Sequence, residues 1–82
     1  MGFLINDIIT LENNDNYIVV DTVQRFEDKY YYIVGVDKEN NKLKNNCRVV
    51  KVYGNSDDQY VSLVDNKDEL RYVIPLFLSH YT

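Results

Sequence analysis

Eighty-two residues leave room for one hydrophobic core, and a hydrophobic fraction of 45% with eight Tyr and three Phe is enough to fill it. Thirteen acidic against nine basic side chains give a net charge of -4, which opposes the counterion release on which generic nucleic-acid binding rests. No run approaches the roughly 20 apolar residues of a membrane span, the start Met1-Gly2-Phe3-Leu4-Ile5-Asn6 lacks a signal peptide's basic region, and Cys47 is alone. These features predict a soluble, cytoplasmic, single-domain protein, residues 1–82, without disulfides.

Apolar runs alternate with polar turn clusters every ten to twelve residues, the spacing of a small all-β protein. The first predicted strand is Asp7 to Leu11, with β-branched Ile8, Ile9 and Thr10, and it ends in Glu12-Asn13-Asn14-Asp15. The second runs from Tyr17 to Phe26 and is apolar on both faces at its start, as a central strand would be. Glu27-Asp28-Lys29 is then read as a three-residue hairpin loop, setting Phe26 against Tyr30, Thr22 against Val34 and Val20 against Val36. The third strand holds the triple tyrosine, Tyr30-Tyr31-Tyr32-Ile33-Val34. Side chains alternate along a strand, so this run places large aromatics on both faces. Tyr30, Tyr32, Val34 and Val36 form one apolar core face, and Tyr31 and Ile33 lie on the other.

Lys38 to Asn46, with four Asn and three Lys around Leu43, reads as a long turn or mobile loop. Strands at Cys47 to Tyr53 and Gln59 to Val64 follow, separated by the turn signal Gly54-Asn55-Ser56-Asp57-Asp58. Asp65-Asn66-Lys67-Asp68-Glu69 is a helix-start signature, an Asx residue followed by acids that suit the macrodipole. Leu70, Val73 and Phe77 recur at helical spacing, with Pro75 expected to end or kink the helix. The expected fold is mainly β: a five-stranded antiparallel meander or SH3-like small barrel with a short C-terminal helix. That helix either covers Tyr31 and Ile33 or leaves them open.

Little in the chain points to catalysis. His80, the one histidine, sits two residues from the end, where chains fray. Ser56, Ser62 and Ser79 lack a nucleophile-elbow context, Cys47 reads as a semi-buried strand residue, and Gly2, Gly35 and Gly54 open no phosphate loop. Asp57 and Asp58 lack the spaced ligands of a calcium loop. No enzyme activity, metal or cofactor is expected. Tyrosine is enriched at protein interfaces, because its ring supplies apolar area and its hydroxyl finds a polar partner. The expected function is therefore non-enzymatic binding of another protein through an exposed aromatic sheet face. Tyr31, Ile33, Tyr17 and Arg25 are the first candidate contacts, and Tyr53 and Tyr60 the next. A homo-oligomer is an alternative partnership.

Ten Asn, eight Tyr, six Lys and six Ile have A- and T-rich codons and suggest an AT-rich bacterial or phage origin. A phage or mobile-element inhibitor of a host defence protein, or a sponge for a nucleotide signal, is thus a second reading. A third is weak single-stranded nucleic-acid binding by Arg25, Lys29, Tyr31 and Arg48.

The runs Asp7-Ile8-Ile9-Thr10-Leu11, Tyr17-Ile18-Val19-Val20, Tyr30-Tyr31-Tyr32-Ile33-Val34-Gly35-Val36-Asp37 and Pro75-Leu76-Phe77 together resemble a group of short uncharacterised bacterial all-β proteins. The resemblance implies a strand-rich fold and carries no catalytic residue or assigned activity across, and this chain departs from it in the Lys38 to Asn46 segment.

Overall fold

The computed structural model describes residues 3–11, 14–54 and 58–81. Five antiparallel strands pair in chain order to form a curled half-barrel sheet: β1 (Ile8–Thr10), β2 (Asn16–Arg25), β3 (Asp28–Asp37), β4 (Lys42–Gly54) and β5 (Gln59–Leu63). The helix α1 (Lys67–Leu78) follows and runs into a short 3-10 turn, Ser79–Tyr81. This is the expected mainly-β meander with a C-terminal helix. None of the described helices is long and apolar enough to cross a membrane. Most of the predicted turns at Glu12-Asn13-Asn14-Asp15 and Gly54 to Asp58 lie outside the described residues.

The β2–β3 hairpin differs from the expected register. It turns on two residues, Phe26 and Glu27, because Arg25 pairs with Asp28 and Val23 with Tyr30. Phe26 makes this tight turn by entering the left-handed region at φ 56, a conformation that a bulky side chain rarely takes. A β-bulge at Val20 then lies between the pairs Asp21–Tyr32 and Val19–Ile33. An extra residue reverses the alternation, so Val23 faces the same way as Tyr30 while Tyr17 and Val19 join Tyr31 and Ile33. The expected even-numbered face of Thr22 and Val20 is therefore replaced by odd-numbered β2 residues that change side at the bulge.

The segment Lys38 to Asn46 is not a long loop. Asp37 builds a compact turn: its carboxylate accepts from the Glu39 N–H at 3.0 Å and from the Asn40 N–H and Nδ2 at 3.3 and 2.8 Å. The Asn40 side chain and then its N–H hold the Asp37 carboxyl below its ordinary range. Asn41 closes the turn at φ 54, and β4 starts at Lys42. Its first residues are polar because they are exposed, and the ladder to β3 keeps them extended. Farther along, Lys44, Asn45 and Asn46 stand opposite Gly35 alone, since Val36 pairs with Leu43 and Val34 with Cys47. The Asn46 amide folds over Gly35, where a Cβ would come within 2.8 Å of Asn46 Cγ, and its Nδ2 donates to Tyr17 Oη at 3.3 Å. The glycine is needed here for close approach.

The two sheet faces carry two cores. On one, Tyr17, Val19, Tyr31, Ile33, Val50 and Val52 pack together with Phe3, Ile9 and Leu11 against them. On the other, Val23, Tyr30, Val49 and Val64 meet Val73 and Phe77 of α1, flanked by Tyr32, Leu70 and Leu76. The helix thus covers the Tyr30 face, and the Tyr31 face is covered by the N-terminal residues and by the curl of the sheet. Val64, directly after β5, already belongs to the Tyr30 face, so the chain leaves the sheet on that side.

Asn66 caps α1 by accepting from the Asp68 and Glu69 N–H groups at 2.8 and 3.2 Å. Pro75 does not end the helix, which continues to Leu78 and is capped by Ser79, whose hydroxyl donates to the Leu76 carbonyl at 2.7 Å. Packing of Val73 and Phe77 on either side of the proline outweighs the lost amide donor. Pro75 is exposed, so Pro75→Ala should restore one helical hydrogen bond without disturbing the core. The expected gain is about 1–3 kcal/mol, smaller where the freer unfolded chain offsets it, read as a higher urea midpoint at unchanged slope.

Candidate functional site

Three of the six candidate contact residues are inside the protein. Tyr31 and Ile33 are 0% exposed and Tyr17 is 2% exposed, so the proposed Tyr31 surface does not exist. Sheet curl and the N-terminal Phe3 explain this, with the Phe3 ring edge-on to Tyr31 at 5.2 Å. Arg25 is half-buried, its guanidinium 4.6 Å above the Tyr72 ring and 5.3 Å from Phe26, so it ties the hairpin tip to the helix.

Tyr53 and Tyr60 remain on the surface, 40% and 55% exposed. They are direct cross-strand partners on β4 and β5, stacked with ring centroids 5.6 Å apart and planes 29° from parallel. Lys51 Nζ lies 5.5 Å from the Tyr53 ring, which joins this pair to a charged cluster under the helix. The structure therefore brings Tyr53 and Tyr60 together and separates them from the other four candidates.

The cluster is built around Glu69. Tyr30 donates its hydroxyl to Glu69 Oε2 at 2.7 Å and Lys51 Nζ donates to the same oxygen at 3.0 Å. Burial, then the bond to Glu69 and its charge, push the Tyr30 phenol up to about 12. The Tyr30 bond chiefly, then Lys51, hold the Glu69 carboxyl below its usual range. The pH dependence follows in two windows. Glu69 stabilises the fold above the unfolded carboxylate range of about 4.3, and that contribution is lost as pH falls through the lower folded value. Tyr30 keeps its proton between 10.0 and about 12 where the unfolded chain loses it, so stability declines as pH rises through that interval. Urea unfolding across acid and alkaline pH should show both declines, with the alkaline one about 2–3 kcal/mol. Glu69→Gln should flatten the acid decline. An unchanged acid limb in that variant would mean that other carboxylates govern it.

Two grooves flank the sheet, one on each face. One, of about 490 Å³, lies between sheet and helix and is lined by Tyr32, Val49, Val64, Leu70, Ile74 and Phe77. Cys47 also lines it and is exposed, which corrects its reading as semi-buried. The second, of about 440 Å³, lies on the opposite face. Leu11 and Tyr17 line it from the β1–β2 corner, Val61 and Leu63 from β5, with Val50 and Arg48 between them. The first and last strands thus face one another across an open seam.

Val61 and Leu63 are 50% and 48% exposed. Sequence reading passed over them because alternating apolar residues look like core. The signal was position: the last strand of a meander has one free edge. His80 is also better held than a frayed tail, with Nδ1 2.9 and 3.0 Å from the two Asp21 carboxylate oxygens. Among the described residues no three His, Cys, Asp or Glu side chains are grouped as metal ligands.

No family model matches the chain, and neither a curated protein nor a solved structure does.

Proposed function

We propose that this protein is a non-enzymatic module that binds another protein through the β4–β5 ribbon. The observation that carries the reading is the exposure of apolar side chains on both faces of one two-stranded edge: the stacked Tyr53–Tyr60 pair on the helix side, and Val61 and Leu63 on the opposite side. Exposed apolar side chains gathered along a sheet edge are what interfaces are made of, and stacked tyrosines add rigid contact area at little entropic cost.

The test is affinity capture from cells of the source organism, followed by mass spectrometry, with the double variant Tyr53→Ser, Tyr60→Ser as control. Neither ring belongs to either buried core, so the variant keeps its fold. Loss of one specific protein supports the reading. Equal recovery with the variant overturns it, and retention of nucleic acid that falls with salt and with Arg25 or Arg48 would support nucleic-acid binding instead.

A further inference from the structure

We propose that β5 accepts an extended segment of a partner protein as a sixth strand, whose alternate apolar side chains enter the groove between Leu11, Tyr17, Val61 and Leu63 and whose acidic side chain meets Arg48. This rests on the reading of the β4–β5 ribbon as a protein-binding surface and names the form of the partner. The phase of the ladder shows where the free edge points. The Val64 N–H donates to the Val49 carbonyl at 2.8 Å, which continues the pairing of Val50 with Leu63. Hydrogen-bonded and non-hydrogen-bonded pairs alternate in an antiparallel ladder. Ser62 and Tyr60 therefore turn their backbone groups toward β4, and the N–H groups of Val61 and Leu63 point away from it. β5 is last in the sheet order, with no strand beyond it among the described residues.

Natural sheets protect such edges with Lys, Pro or inward charges, but Tyr60-Val61-Ser62-Leu63-Val64 contains none. Strand addition combines backbone bonds for affinity with pockets for alternate side chains, and the seam groove lies on the side to which Val61 and Leu63 project. Arg48 is the charged residue lining that groove, so a carboxylate is the complementary group. A second copy fits less well. Antiparallel pairing of two β5 strands would bring Asp58 of one copy toward Asp65 of the other, between chains that each carry a net charge of -4.

The probe is the fluorescein-labelled peptide acetyl-Glu-Thr-Val-Thr-Val-Thr-amide, titrated with the full chain and followed by anisotropy. In an antiparallel strand its Glu and two Val share one face, with Glu at the Arg48 end. Saturable binding is expected. Val61→Pro removes an outward N–H while sparing the β4 ladder, and should weaken binding by about tenfold or more, about 1.4 kcal/mol. N-methylation of alternate peptide amides should do the same and serves where Val61→Pro unfolds. Arg48→Glu should weaken the Glu peptide and favour its Lys counterpart. The inference is overturned by absence of binding at millimolar peptide, by affinity indifferent to both backbone changes, or by a dimer in sedimentation that Val61→Pro abolishes. If the peptide fails while Tyr53→Ser, Tyr60→Ser still abolishes capture, the binding surface stands without the added strand.

Discussion

Tyr31→Ala is expected to lose a large share of the fold's stability and to unfold at a much lower urea concentration. Truncating a fully buried aromatic costs about 3–5 kcal/mol, and a chain of this length is stable by only about 4–12 kcal/mol. Tyr31 is in the middle strand of the sheet, 0% exposed, with Thr22 and Val50 beside it and Phe3 across its ring. No neighbouring element can collapse into the space, because β2 and β4 are fixed by their ladders on both sides. The companion Tyr31→Phe should behave in the opposite way. The Tyr31 hydroxyl is buried with no hydrogen-bond partner among the described residues, so removing it should be neutral or stabilise by about 1 kcal/mol. Urea midpoints of the two variants against the parent decide the matter. A Tyr31→Ala protein with an unchanged midpoint would mean that this ring faces solvent.

The burial of Tyr31 also shows what could be read from the residues and what could not. The strands and helix were legible because each is a local pattern: β-branched runs between Asx turns, and Leu70, Val73 and Phe77 at helical spacing behind an Asn cap. Facing was not legible, because it depends on bulges that leave little local mark. The extra residue at Val20 exchanges the faces of one half of β2 relative to the other, whereas the two extra residues opposite Gly35 shift the register of β4 and leave its facing unchanged. The tight hairpin was missed for a related reason: a two-residue turn calls for Gly or Asn, and here Phe26 takes the left-handed conformation instead. Phe26 is 84% exposed, so burial does not explain why a phenylalanine holds that position. The candidate site was legible only where alternation and topology agree. Tyr53 and Tyr60 stay exposed because they pair at the far end of the last hairpin, beyond the reach of α1. Tyr17 and Tyr31 have the same chemistry but sit, with Ile33, where the sheet curls over them.

Phe77→Ala should act on the opposite face with a comparable cost, about 3–5 kcal/mol, but with a different spatial signature. Phe77 is 5% exposed and its ring lies 5.7 Å from Tyr32, so it is the anchor by which the last turns of α1 hold the sheet. The Tyr31 core shares no buried residue with the Tyr30 core, and only the second depends on the helix. Losing Phe77 should therefore release α1 before the sheet opens. A helix of 12 residues with an internal proline has little stability of its own once undocked. Native-state amide exchange should then show protection falling across the 70–78 segment while the β2, β3 and β4 amides at Tyr17, Ile33 and Val50 keep theirs. The groove between sheet and helix would be lost in the same step, but the seam groove and the edge of β5 would persist. A Phe77→Ala protein should thus still bind the β5 peptide at a temperature where its helix is open. Uniform loss of protection over both faces would instead make the helix and the whole sheet one cooperative unit, and peptide binding would fall with it.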